Sequence, residues 1–207
     1  MTTKKEALVY RFIKLIEHPA NVFREYVGEP TPFQLILFDL FLSEGPSSIR
    51  SVAKHHRRVG LTSAIAAFIV WYALKHHDRT IANVDLMHKQ CTMYRMVTDI
   101  LDQVDAEFRF SEEDYGMYHR RTKAEIDLTN NSRVLFRSTS PNALHGMTIS
   151  LGVLFVLNDI PTDSELFYSF IPTMASSRFG LVLQIFEEDP PAMADLVTTA
   201  EDVLHEK

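Results

Sequence analysis

Apolar residues recur at helical spacing through the first third of the chain. Leu8, Val9, Phe12, Ile13 and Ile16 mark a helix over Lys5 to Glu17, closed by Pro19. A short helix follows over Asn21 to Tyr26. After the break Gly28-Glu29-Pro30-Thr31-Pro32, the run Phe33 to Phe38 predicts a third, reaching Ser43, before Glu44-Gly45-Pro46-Ser47 interrupts the chain. Beyond that point the period changes. A short β-prone segment at Val52 leads into the basic loop Lys54-His55-His56-Arg57-Arg58, then Gly60, then a helix opened by Thr62-Ser63 and carried by the apolar run Ala64 to Leu74. Arg79 to Leu86 reads as a strand, and Met87 to Val104 as a helix with Met93, Met96, Val97, Ile100 and Leu101 on one side. Between Asp105 and Arg121 the pattern weakens. Alternation over Ala124 to Leu128 and Arg133 to Phe136, around Asn130-Asn131, predicts a β-hairpin. Leu151 to Leu157 is a continuous apolar run, typical of a parallel strand buried on both faces. A helix over 165–175, a last core strand over Leu181 to Ile185 and a helix from Pro191 to Glu206 complete the order.

Strands alternating with helices predict an α/β fold of three layers around a mostly parallel sheet. Residues 1–45 form a helical lead and 46–207 the α/β domain. Composition agrees: 46% hydrophobic and 23% charged residues are those of a globular chain. A net charge of −6 excludes nucleic-acid binding by bulk charge and leaves only local patches. The single Cys91 excludes an intrachain disulfide and fits a reducing compartment. Lys4, Lys5 and Glu6 give no signal-peptide core, and Ala64 to Leu74 is too short to span a bilayer, so no membrane contact is expected. The pairs His55-His56 and His76-His77 diverge on either a strand or a helix and make no metal site.

The strand, basic loop, Gly60 and helix have the architecture of a phosphate-binding loop, in which backbone N–H groups and a helix N-terminus cradle an anion. In the signature G-x-x-x-x-G-K-[ST], Gly60 and Thr62 match, while His55 stands at the first Gly and Leu61 at the Lys. Arg57 and Arg58 are the cations able to hold phosphate in place of the Lys. The plainer reading is an ordinary strand-to-helix turn with exposed basic residues. A second basic group, His119-Arg120-Arg121-Thr122-Lys123, would form with Lys54 to Arg58 a local anion or DNA patch, or else a solvated surface cluster.

These landmarks resemble the ATPase domain of the large terminase subunit, the motor that packages DNA into tailed bacteriophage heads. Phe33-Gln34 resembles its adenine-recognising element, and His56-Arg57-Arg58-Val59-Gly60-Leu61-Thr62-Ser63 its Ser-Arg-Gln-x-Gly-Lys-Thr-Thr loop. Asn131-Ser132-Arg133-Val134 resembles the Gly-Ser-x-Ile strand, Ser140 to Gly146 the Ser-Pro-x-x-x-Arg-Gly loop, and Val153 to Asp159 the strand ending in Asp-Glu. The resemblance implies ATP and Mg2+ as ligands. It implies nucleotide contacts at Gln34, Arg57, Arg58, Gly60, Thr62 and Ser63, metal contacts at Thr62, Asn158 and Asp159, and Asp159 as the catalytic residue of any active form.

The departures fall on the chemistry. Leu61 replaces the phosphate-binding Lys, Asn158 the magnesium-holding Asp, Asp159 the catalytic Glu and His145 the Arg of the Arg-Gly loop, while Gln184-Ile185-Phe186 replaces a Thr-rich element. Apolar strands stay intact while these positions change together, which is the pattern of a pseudoenzyme. Gln34 has a plainer reading as a polar residue on the helix surface, and Asp159 as a cap. Three functions stay open. The first is a degenerate terminase-like module that binds or assembles with other packaging or virion proteins, or with itself. The second is a divergent ATP-hydrolysing motor, and the third a module contacting nucleic acid through Lys54, Arg57, Arg58, Arg120, Arg121 and Lys123. The bacterial host cytoplasm or the virion is the expected location. The chain ends soon after the ATPase-like core, so DNA cutting is not expected.

Overall fold

A computed structural model describes residues 4–43, 48–52, 60–85, 87–109, 116–138, 144, 146–156 and 181–186. Helices α1 (Lys4–Leu15), α2 (Pro19–Tyr26) and α3 (Pro32–Leu42) form the lead. Then come β1 (Ser48–Val52), α4 (Leu61–Lys75), β2 (Thr80–Val84), α5 (Met87–Phe108), β3 (Tyr118–Thr122), β4 (Glu125–Leu128), β5 (Arg133–Arg137), β6 (Leu151–Val156) and β7 (Leu181–Phe186). The expected helices over 165–175 and 191–206 lie outside the described residues.

The strands form a seven-stranded sheet in the order β1-β7-β6-β2-β5-β4-β3. Five strands, from β1 to β5 in that order, run parallel, and the hairpin partners β4 and β3 continue antiparallel. The last strand among the described residues, β7, lies between β1 and β6. Register is level across the middle: Val84 faces Arg137 and Leu154, and Val52 faces Ile185. The parallel strands therefore end at one common rim.

Helix α4 is the centre of the core. Every residue from Ala64 to Leu74 is buried, because its apolar residues run all round rather than along one stripe. One side meets the sheet and α5; the other is covered by the lead, through Phe41 tilted against Phe68 (ring centroids 5.0 Å) and the Trp71 indole N–H donating to the Ile16 carbonyl (2.9 Å). Residues 81, 134, 136, 151 and 153 join that core, while Ala82, Val84, Leu135 and Leu154 pack with Leu144 and Ile149 in a second cluster on the opposite face. Alternation along each strand assigns every residue to one face.

The C-terminus of α4 is locked by the turn between β4 and β5. The Asn130 amide donates to the carbonyls of Ala73 (2.7 Å) and His76 (3.2 Å), and the Ser132 hydroxyl donates to His76 (2.8 Å). Helix-terminal carbonyls left unpaired would be costly, and these side chains satisfy them. Ser132, aligned above with the family strand, thus has a structural partner.

Strand β3 went unseen in the sequence pattern. Its residues, Tyr-His-Arg-Arg-Thr, show no apolar alternation because it is the sheet's exposed edge, where charge protects against further pairing.

Candidate functional site at the C-terminal rim of the sheet

Because α4 ends beside the start of β2 and spans about 22 Å at 1.5 Å per residue, its N-terminus lies toward the rim where the parallel strands end. Gly60 precedes it in the left-handed conformation, φ 75° and ψ 23°. The first helical bond is Ala64 N–H to the Gly60 carbonyl, 3.0 Å, so the amides of Leu61, Thr62 and Ser63 precede the helical ladder. A left-handed residue followed by right-handed ones turns successive N–H groups toward one concave point, as an anion cradle requires. Thr62 and Ser63 are half-buried on this first turn.

Gln34 reaches the same point. It is 5% exposed, not the surface residue that its place in an apolar helix suggested. Its Oε1 accepts from Thr31 N–H (2.8 Å) while Thr31 Oγ1 accepts from Gln34 N–H (3.3 Å), a reciprocal cap on α3. Its Nε2 donates to the Gly60 carbonyl (3.2 Å). A Cβ on Gly60 would come within 2.3 Å of that nitrogen, so a side chain there would have to push the Gln34 amide aside, in addition to the strain of positive φ. Leu61, at the position of the signature Lys, is 3% exposed and belongs to the main core. The described start of α4 thus has a left-handed glycine followed by an apolar Leu61 where the signature places a cation, and residues 53–59 lie outside the described residues.

Lys54, Arg57, Arg58, Asn158 and Asp159 lie outside the described residues. For magnesium, the described residues hold no group of three or more acidic, His or Cys side chains able to ligate a metal, and the Thr62 hydroxyl is the described member of the expected set.

Arg120, Arg121 and Lys123 sit on and after β3, at the opposite edge of the sheet from β1. Six strand spacings of about 4.8 Å set β3 roughly 29 Å from β1, and residues 54–58, the other half of the expected patch, lie outside the described residues. Arg121 is also held: it donates to Asp102 (2.8 and 3.0 Å) and to the Tyr94 hydroxyl (3.3 Å). The Tyr94 bond leads the effects that push its guanidinium pKa up. Arg120 and Lys123 are exposed.

Two residues that the sequence pattern hid lie on β2 and directly after it. Asn83 is fully buried, and neither its Nδ2 nor its Oδ1 has a hydrogen-bond partner. Asp85 is 3% exposed, and its N–H donates to the Arg137 carbonyl (3.1 Å), extending the β2–β5 ladder to the rim. Both have the parity of Ile81 and so leave the sheet on the α4 face. Two polar residues at i and i+2 inside an apolar strand are the signal that marks them.

A cleft of about 330 Å³ also opens between α1, α2 and the end of α5. Its cations are paired with carboxylates, Arg11 with Glu25 and Glu107, Lys14 with Glu17, and Arg24 with Glu29. Burial, then the 2.8 Å bond to Glu107, pushes the Tyr26 phenol well above its usual range. These contacts tie the lead to α5.

No family model and no curated protein matches the sequence. Among solved structures, the chain is similar to the large terminase of bacteriophage HK97, with a TM-score of 0.69 at 14% identity over 92% of this chain. It spans 41% of that protein. The ATPase domain of the large terminase of Thermus phage P74-26 superposes with a TM-score of 0.61 at 19% identity, over 83% of this chain and 70% of that one. A single-substitution variant of the same domain gives 0.61 at 20%. Among the described residues no helix is long and apolar enough to cross a membrane. At these identities the likeness is one of architecture: the chain has an α/β fold with a mostly parallel sheet, similar to that of the ATPase domains of phage large terminases.

Proposed function

We propose that the chain is a terminase-ATPase-like domain that does not hydrolyse ATP and serves as a binding or assembly module in a phage DNA-packaging or virion complex. The observation that carries this reading is Leu61, an apolar side chain buried at the position next to Gly60 where phosphate-loop chemistry places an ammonium. Amides at a helix N-terminus contribute about 0.3–1 kcal/mol to an anion, against about 1.5–3 kcal/mol for a hydrogen bond to a charged group. Loss of the Lys therefore weakens nucleotide binding about tenfold or more. Asn158 and Asp159 weaken the remaining chemistry, since hard cations favour carboxylates and proton transfer depends on reach.

The lead supports an assembly role. Tyr10 (62% exposed) and Ile13 (50%) on α1, and Ile36 (56%) on α3, present apolar surface outward, as docking elements do. Other packaging or virion proteins, or a second copy, are the partners this reading requires, in the host cytoplasm or the virus particle.

Calorimetric titration of MgATP into the wild type and a Leu61→Lys variant tests it. The variant is expected to bind at least tenfold more tightly, while the wild type releases no phosphate. Release by the wild type at an ordinary turnover rate, on the order of 1 per second or faster, would sink the proposal.

A further inference from the structure

Helix α3 carries two polar residues among eleven, and they face opposite ways. Asp39 is exposed, whereas Gln34 is 5% exposed although its sequence neighbours Phe33 and Leu35 lie outward. A buried amide in an apolar helix has to be accounted for by its partners, since an apolar side chain would fill the space at a lower desolvation cost. Here the partners are present. Gln34 Oε1 accepts from Thr31 N–H (2.8 Å), and Nε2 donates to the Gly60 carbonyl (3.2 Å). That carbonyl also accepts the first bond of α4, from Ala64 N–H (3.0 Å). One side chain therefore joins the N-cap of α3 to the N-cap of α4, across 26 positions of sequence.

Reading an adenine would need the same two atoms. A Gln amide recognises that base with both ends at once, its oxygen accepting from N6–H and its nitrogen donating to N7. In Gln34 the oxygen is turned to Thr31 and the nitrogen to Gly60, and the residue has a further interaction within the protein. Its burial leaves almost no surface for the edge of a base. Turning the amide outward would give up both bonds and empty a position in the core. We infer that Gln34 is a positioning residue, a clasp that fixes the lead to the start of α4, and that it does not read a nucleobase. The inference goes beyond the reading on hydrolysis and does not depend on it.

Amide hydrogen exchange of the full chain, read residue by residue by NMR, tests the clasp without any ligand. Gln34→Glu keeps an oxygen for the Thr31 N–H, as a capping box allows, and removes the N–H that reaches Gly60. It is expected to speed exchange of the Ala64 amide about tenfold. The Leu35 amide, bonded to the Thr31 carbonyl, and the His76 amide at the far end of α4 should stay within about twofold. Thr31→Ala should do the reverse, speeding exchange of the Gln34 amide and leaving Ala64 unchanged. Gln34→Met, which fills the space without polar atoms, is read the same way at Ala64 if the carboxylate prevents folding. An Ala64 amide unchanged by loss of the Gln34 donor, or quickened no more than that of His76, overturns the clasp. For the base, fluorescent derivatives of ADP and GDP are titrated into the wild type and Gln34→Ala. Equal affinity for the two bases, or binding of neither, is expected. An adenine preference of about tenfold or more that Gln34→Ala abolishes overturns the inference. Phosphate release keeps it apart from the functional reading. Rapid release from ATP with no base preference overturns that reading alone, and an adenine preference lost in Gln34→Ala, with no release, overturns this one alone.

Discussion

Where α4 finishes, its last carbonyls are held by Asn130 and Ser132, and the Asn130 Oδ1 in turn accepts from Ser132 N–H (3.0 Å). Where α4 begins, a left-handed glycine faces the Gln34 amide, and on the same face of the sheet Asn83 is buried with neither polar atom paired. The two ends belong to one helix and one core, yet among the described residues the first has its polar groups closed on one another, while on the side of the second Asn83 stays unpaired although Gln34 is bonded. A fold selected for stability alone would treat both ends alike. In open α/β sheets ligands bind outside the carboxyl ends of the strands, and that is the end left open here.

Substitutions can break or sharpen this contrast. The largest effect is expected at Leu61→Ala, which removes a buried side chain next to the cradle and should cost about 3 kcal/mol in urea unfolding. Gly60→Ala follows, at about 2 kcal/mol, because φ is positive and the new Cβ must displace the Gln34 amide; adding Gln34→Ala should recover part of that loss. Asn130→Ala, at the closed end, should cost about 1.5 kcal/mol by freeing the Ala73 carbonyl. Asn83→Leu, at the open end, should have the opposite sign and stabilise by about 1 kcal/mol. A destabilised Asn83→Leu would remove the contrast.

The smallest expected effect is a pH dependence at the closed end. Burial, then the charge of Arg79, holds the His76 imidazole below its usual range. The folded state therefore binds its proton less readily than the unfolded chain does. The associated stability is full above the unfolded value, about 6.5, and is lost as pH falls from there through the folded value. Thermal unfolding between pH 7 and 5 should show this decline, flattened in His76→Asn.

How much of this was written in the pattern of residues differs by element. Alternation exposed the β4–β5 hairpin, and an uninterrupted apolar run exposed β6, because a strand between two others is buried on both faces. β3 was hidden because an exposed edge strand carries no apolar signal. The start of α4 was legible from Gly60 and the apolar run after it, since a turn into a helix favours a glycine at positive φ. Gln34 was given a surface reading, and the burial that overturns it accompanies a bond to Gly60, 26 positions away, which no local pattern reports. The strand order could not be read from periodicity, which says nothing of it: β1 and β3 are the two edges of the sheet. Asn83 and Asp85 passed as parts of a strand, because a polar residue betrays itself only when its neighbours across the sheet are known.

The central claim is that this terminase-like fold does not hydrolyse ATP. Its most direct test is a single-turnover experiment with the full chain in excess over radiolabelled ATP and Mg2+, followed by rapid quench. The account predicts that the nucleotide stays intact at the protein-free rate over many minutes; stoichiometric phosphate release within seconds would contradict it.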